Sequence, residues 1–210
     1  MSLQAKLEAG LAQANINLSA SVQQNLLDYL ALVQKWNKVH NLTAVRDPEE
    51  MVTLHLLDSL SVLPHIKSKR LLDVGSGAGL PGIPLALCLP DLQVTVMDSS
   101  HKKTSFMSQA KAELGITNLE VVCGRVEQYQ PEQLFDIVIS RAFSDLAEFM
   151  ALTQHLCAPE GQWLAMKGVY PYDELAQLKM PPAQVLPLNV PGLQAQRHLV
   201  FLSCNSLKTA

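Results

Sequence analysis

The chain has 210 residues, 48% hydrophobic and 17% charged, which supplies the core of one sizeable α/β domain with an appendage and excludes a disordered chain. No apolar run approaches the ~18 residues needed to cross a membrane, and the start MSLQAKLEAGLAQA has no cationic segment followed by an apolar block, so no secretory signal is expected. A net charge of −3 excludes tight, sequence-blind wrapping of nucleic acid, while leaving room for a local basic patch.

Up to about His65 the pattern is helical. Val22, Leu26, Tyr29, Leu30, Val33 and Trp36 recur at three- and four-residue steps, an amphipathic helix begun near Ser19 or Ser21. Trp36 lies on its apolar face and is assigned to the core. Asp47-Pro48-Glu49-Glu50 is a second start signal: an N-cap acceptor, proline at the first helical position, then acids that complement the helix dipole. Met51, Leu54, Leu57 and Val62 form its buried side.

From Lys69 short apolar runs alternate with helical segments. Strands are predicted at 70–74, 92–97, 119–123, 135–140 and 162–167, and helices at 80–89, 102–114, 144–157 and, briefly, 172–179. Such repetition predicts a mostly parallel sheet covered by helices on both faces, a Rossmann-like fold. Ala183–Val190 and Arg197–Cys204, joined by Pro191-Gly192-Leu193-Gln194, predict an antiparallel hairpin at one edge. Residues 1–65 are therefore expected to be a helical segment packed on a core domain of residues 66–210. Cys88, Cys123, Cys157 and Cys204 have no C-x-x-C spacing, so no metal site is expected, and four separate thiols suit a reducing cytosol.

RLLDVGSGAGLPGIP carries the chemistry. A literal G-x-G-x-x-G occurs at Gly77, Gly79 and Gly82, the dinucleotide fingerprint. Counted from Gly75, the first glycine after the strand, the sixth position is Leu80, so that fingerprint fails where a dinucleotide fold requires it. Asp73 is the second discriminator. A carboxylate at the end of a buried strand needs a donor or cation; the ammonium group of S-adenosylmethionine supplies one, whereas a pyrophosphate is repelled. Asp98, ending VTVMD, stands where an acid accepts ribose hydroxyls, which both cofactor classes offer, and it equally suits the start of the next helix. Arg125, Val126 and Glu127, after the third strand, fall beside the adenine of a cofactor bound at the strand ends, with Glu127 accepting the amino group and Val126 offering an amide; an exposed loop is the alternative.

These segments, LDVGSGAGLPGIPLA, MDSSHKK, GRVE, FDIVISRAFSDL, LAMKG and RHLV, with KWNKVHNLTAVRDPEEM and HLLDSL upstream, resemble the ribosomal RNA small subunit methyltransferase G family, also called glucose-inhibited division protein B. The resemblance covers about residues 30 to 204. It implies a class I methyltransferase fold and transfer of a methyl group from S-adenosylmethionine to N7 of one guanine, position 527 in the 530 loop of 16S rRNA, in the cytoplasm; a small-molecule acceptor is the alternative. It places cofactor contacts at Gly75, Leu80, Val126, Glu127 and Arg141, which join Asp73, Gly77 and Asp98 from the reading of the loop and strand ends. From the residues alone Arg141 reads as a strand-end arginine paired with an acid. Its replacement by Ala is expected to weaken cofactor binding or transfer with little loss of stability. The chain departs from the family pattern at Ser76 and Ala78, at Thr104-Ser105 and at Ala195-Gln196.

Guanine N7 has a lone pair and no proton, so its methylation needs alignment and exclusion of water, and no general base is expected. SRAF stands where enzymes of exocyclic amines carry an Asn-Pro-Pro-Tyr type motif. Candidate RNA contacts are Lys35, Lys38, Arg46, Lys102, Lys103, Lys167 and Arg197, with Trp36 and His40 as stacking or phosphate partners; a solvated or core role is the alternative for each, and is the one assigned to Trp36.

Overall fold

The computed structural model describes residues 2–141, 143, 145–178 and 184–204. Its N-terminal part is helical. α1 (Leu3–Gln13) is capped by Ser2, and α2 (Ala20–His40) by Ser19, whose hydroxyl accepts from the Val22 amide at 3.3 Å. Asp47 caps α3 (Pro48–Met51), as its D-P-E-E signal predicts. The chain then winds through a π-helical turn, Val52–Leu57, into the short α4 (Asp58–Leu60). A π-turn accommodates one extra residue per turn and is often found at functional sites.

Seven strands follow: β1 (Arg70–Val74), β2 (Gln93–Asp98), β3 (Leu119–Cys123), β4 (Phe135–Ser140), β5 (Cys157–Lys167), β6 (Gln184–Pro187) and β7 (His198–Ser203). Their order is β3-β2-β1-β4-β5-β7-β6. The first five are parallel, and β7 runs antiparallel between β5 and β6. The connections from β1 to β2 and from β1's other neighbour β4 to β5 diverge, so a crevice opens at the carboxyl ends of β1 and β4, where ligands bind in open α/β sheets. Helices α5 (Gly82–Cys88), α6 (His101–Glu113), α7 (Leu146–Thr153) and α8 (Tyr172–Gln177) fill the connections.

The two faces of the sheet bury separate cores because alternate strand residues point in opposite directions. Leu71, Ile137 and Ile139 pack with Leu26, Tyr29, Leu56, Ile83 and Phe106, so the N-terminal helices share one core with α5 and α6. On the other face Leu72, Val138 and Trp163 pack with Phe149 of α7. The Trp163 indole donates to Thr153 Oγ1 at 2.9 Å, satisfying its polar atom inside that core.

Several boundaries differ from expectation. Helix α5 starts at Gly82, since residues 76–81 form the turn beneath it, and α7 stops at Thr153. Strand β5 begins at Cys157, a position expected at a helix terminus. The expectation of four separate thiols is also corrected: Cys157 and Cys204 form a disulfide, leaving Cys88 and Cys123 free. The bonded cysteines lie 47 positions apart and are brought together by the antiparallel pairing of β5 with β7, which spacing along the chain does not reveal. The hairpin is present, its turn closed by the Leu193 amide on Val190 O at 3.0 Å with Gly192 at φ 80°. Residues 144, 179 and 183 of the predicted elements lie outside the described residues.

One buried bond ties the helical segment to the glycine turn. The Tyr29 hydroxyl, fully buried, donates to Ala78 O at 2.6 Å. Tyr29→Phe leaves that carbonyl without a partner and should cost about 1–2 kcal/mol in urea unfolding.

Candidate active site

The turn after β1 is clipped to β2 along its length. The amides of Gly75 and Ser76 donate to Met97 O at 2.9 and 3.0 Å. Ser76 Oγ donates to Asp73 O at 2.8 Å and accepts from the Met97 amide at 3.2 Å. Gly77 holds φ 61° with open space where a side chain would project, as a turn facing a ligand requires.

Asp73 lies under this turn, with no exposed surface. Its Oδ2 accepts from the Gly82 amide at 2.8 Å, while its Oδ1 has no partner. A Cβ on Gly82 would stand 2.9 Å from Asp73 Oδ2 and collide with Val96. The last glycine of the literal fingerprint therefore exists to let helix α5 reach Asp73, and the match to a dinucleotide motif is incidental. Burial raises the Asp73 pKa to about 7, partly opposed by the Gly82 hydrogen bond and the charge of Arg141. A cation or donor brought to the site would complete this half-satisfied carboxylate.

Asp98 ties the turn to the entry of α6, although the N-cap of that helix is Ser100 and not Asp98. Its Oδ1 accepts from the Ser100 amide at 2.9 Å where α6 begins, and its Oδ2 accepts from the Gly77 amide at 3.0 Å and from Lys103 Nζ at 3.3 Å. It also lines a cavity.

Three cavities run in series across the carboxyl ends of the strands. The first, about 390 Å³, is lined by Gly75, Asp98, Lys103, Val126, Glu127 and Phe143 among others. The second, about 270 Å³, lies over the turn between Gly75, Gly77, Leu80, Thr43, His55 and Arg141, and shares Gly75 and Lys103 with the first. The third, about 380 Å³, shares His55 and Arg141 with the second and reaches Asp58, Lys167, Gly168 and Arg197. Seven of the eight sequence-predicted residues line the first two cavities; Asp73 lies below the turn and lines neither. Val126 and Glu127 sit in a short 3₁₀ turn with Val126 buried and Glu127 exposed.

Arg141 is both a cavity residue and half of an ion pair. Its Nη1 donates to Leu54 O at 3.0 Å and to Asp58 Oδ2 at 3.1 Å, and Arg197 Nε donates to Asp58 Oδ1 at 2.8 Å. Asp58 is 2% exposed, so the strand end, the hairpin and the helical segment meet on one buried carboxylate. Asp58 and His55 went unassigned in the sequence, although HLLDSL places them three residues apart, a spacing that puts both on one helical face. His55 Nε2 lies 3.0 Å from Thr43 Oγ1, and burial holds the ring's pKa below its usual value, with Arg141 adding to the effect.

Among the predicted RNA contacts, Lys35, Lys38 and Lys102 are exposed. Lys103, Lys167 and Arg197 are engaged with Asp98, Glu174 and Asp58 respectively. Arg46 donates to Asn41 Oδ1 at 2.9 Å. Trp36, half-buried, packs edge-on to Phe106 and against His40 at the border of the core.

Comparison with known proteins decides the family. The model of rRNA small subunit methyltransferase G matches residues 22–200. The chain belongs to that family. A ribosomal RNA small subunit methyltransferase G from Methylobacillus flagellatus is 66% identical over 95% of this chain and 98% of its own length. One from Laribacter hongkongensis is 54% identical over 96% and 99%. A SAM-dependent methyltransferase from Aquifex aeolicus shares the fold, with a TM-score of 0.56 at 18% identity over 80% of this chain and 95% of that one. The seven-stranded sheet with its terminal antiparallel pair is thus the class I methyltransferase fold, and the family is one of S-adenosylmethionine-dependent enzymes. No helix of the described residues is long and apolar enough to cross a membrane, and among them no cluster suited to a metal ion occurs.

Two expectations follow for this family member. Asp73 has its pKa raised by the fold, so the unliganded protein should lose stability as pH rises from the ordinary carboxylate range through about 7. Asp73→Asn should therefore melt at least as high as the parent at pH 8, with the advantage shrinking toward pH 5. On the expectation that Asp73 meets the cofactor's ammonium group, calorimetry should show the affinity of this variant for S-adenosylhomocysteine reduced about tenfold or more. Arg141→Ala should lower both methyl transfer and stability, the latter by about 1–3 kcal/mol in urea unfolding, because Leu54 O and Asp58 each lose a donor. That replaces the stability-neutral outcome expected from sequence.

Proposed function

We propose that this chain methylates N7 of a guanine in the 530 loop of 16S rRNA, in the cytoplasm, with S-adenosylmethionine as donor and S-adenosylhomocysteine as product. The observation that carries this reading is the continuity of the cleft in a chain 66% identical to an rRNA methyltransferase. Two cavities fitted to an adenosine-bearing cofactor open at His55 and Arg141 into a third. The relatives' acceptor does not favour the small-molecule alternative.

The residues fit the cofactor group by group. Asp98, on the wall of the first cavity, suits ribose hydroxyls once Lys103 moves from its carboxylate; Glu127 and the Val126 amide suit the adenine edge. The open space over Gly77 admits close backbone approach, and the unpartnered Asp73 Oδ1 below it suits an ammonium group. Arg141, on the wall toward the third cavity, suits the methionine carboxylate. When bound, S-adenosylmethionine supplies a sulfonium-activated methyl group.

The protein's task is then to align the guanine and keep water out, since N7 gives up no proton. A uniformly cationic wall would oppose a reaction that brings an alkylated, positively charged base into the cleft. His55 is kept neutral by burial, and Asp58 neutralises much of Arg141 and Arg197.

Small ribosomal subunits lacking the modification, incubated with the protein and methyl-labelled S-adenosylmethionine, should acquire label in 16S rRNA at a guanine N7. Absence of label with cofactor binding intact would overturn the proposal.

A further inference from the structure

The third cavity ends at Gly168, and the residues that follow are unusually exposed. Val169 is 76% and Tyr172 73% exposed. Exposed apolar and aromatic side chains grouped at the rim of a cleft mark an interaction surface more often than a single exposed leucine does.

This group is also held in a fixed shape. The rings of Tyr170 and Tyr172 lie with centroids 4.3 Å apart at 38°, and Tyr170 meets the ring of His198 edge-on at 5.5 Å and 83°. His198 Nδ1 is 2.9 Å from Gly168 O, which anchors the loop to β7. Pro171 between the tyrosines is buried, and the Tyr172 amide donates to Tyr170 O at 3.0 Å, so the two rings are set by a short turn. Tyr170 is half-buried and supports the pair; Tyr172 leaves a face to solvent.

The charges nearby do not make a strong phosphate grip. Lys167 Nζ is 2.7 Å from Glu174, Arg197 is paired with Asp58, and the chain as a whole carries −3. An RNA held at this rim needs a contact that does not depend on net charge. Aromatic stacking on unpaired bases is that contact, and recognition of single-stranded RNA loops relies on it.

We infer that Tyr172, backed by Tyr170, is a stacking platform for an unpaired RNA base next to the nucleotide in the third cavity. The inference rests on the rRNA reading above. Because the target is a loop, a neighbouring base is available to stack once the acceptor guanine enters the cleft. A protein of the small subunit or a second copy of this chain is the competing occupant.

The test uses the full chain, methyl-labelled S-adenosylmethionine and unmodified small subunits. Tyr172→Ala should raise KM for subunits about tenfold, the scale of one lost stacking contact. KM for the cofactor and the melting temperature should stay at the parent values, and the slope of log KM against log salt should be unchanged, since no phosphate contact is removed. Tyr172→Phe keeps the ring and should stay within about twofold. A photo-crosslinking residue at position 172 should attach to 16S rRNA. Parent-like KM in Tyr172→Ala, an equal defect in Tyr172→Phe, an altered salt slope, or a crosslink to ribosomal protein or to a second copy would each overturn the platform while the parent enzyme still labels rRNA. No label with the parent enzyme overturns the rRNA reading and the platform together.

Discussion

The site is organised around a single carboxylate placed where carboxylates are costly. Asp73 interrupts the buried stretch of β1, whose other members Leu71, Leu72 and Val74 are apolar, and is itself fully buried, with one oxygen satisfied by the Gly82 amide and the other left without a partner. A half-satisfied buried charge opposes folding, and the bond to Gly82 recovers part of that cost. Much of the surrounding geometry follows. Gly82 must lack a side chain, the turn must pass over the carboxylate through Gly75, Gly77 and Gly79 at positive φ, and Ser76 must clip the turn to β2. Instability stored beneath the turn becomes affinity for whatever brings a positive group to it.

A second buried carboxylate joins the parts of the chain. Asp58 stands in the short helix after the π-turn and receives Arg141 from the end of β4 and Arg197 from before β7. Neither arginine alone balances the geometry, because each approaches a different oxygen. The helical segment is thereby fixed to the open end of the sheet, where it walls the second and third cavities with Thr43 and His55. The π-turn explains how His55 and Asp58 are presented together, His55 toward Thr43 and Asp58 toward the arginines. The segment that looked like an appendage supplies one side of the cleft.

What could be read in advance depended on whether the determinant was local. Ser19 and Asp47 cap helices through residues within three positions, and both were legible. RLLDV was legible as β1 because a buried parallel strand is apolar throughout, and Asp73 was conspicuous as its exception. The edge hairpin followed from Pro191-Gly192, a dipeptide whose preferred dihedrals make one kind of turn. The π-turn was hidden, since an inserted residue shifts the apolar period without breaking it. Pairings across the sheet were hidden as well: Asp58 meets Arg197 at a separation of 139 residues, and Cys157 meets Cys204 at 47. Arg141 was recognised as a site residue with an acidic partner, but nothing nearby in the chain names that partner.

The acidic balance of the chain constrains how such an enzyme can hold RNA. Salt-dependent affinity grows with the number of phosphates neutralised, and several of the cations around this cleft are committed to carboxylates of the same chain. On the proposed reading, recognition at the cleft itself then draws on contacts that sense the shape of an unstacked loop: enclosure of one base between the helical segment and the ends of β4 and β5, and aromatic surface beside it. Such contacts discriminate against paired RNA, because a duplex offers no free base face. They are also lost as soon as the loop refolds, so an enzyme that turns over once per target gains selectivity without being held by its product's phosphates. Neutralising Arg141 and Arg197 with Asp58, which looks wasteful for an RNA-binding surface, is consistent with that division: the cleft positions a base, and the positive charge is kept low where a cation is about to form.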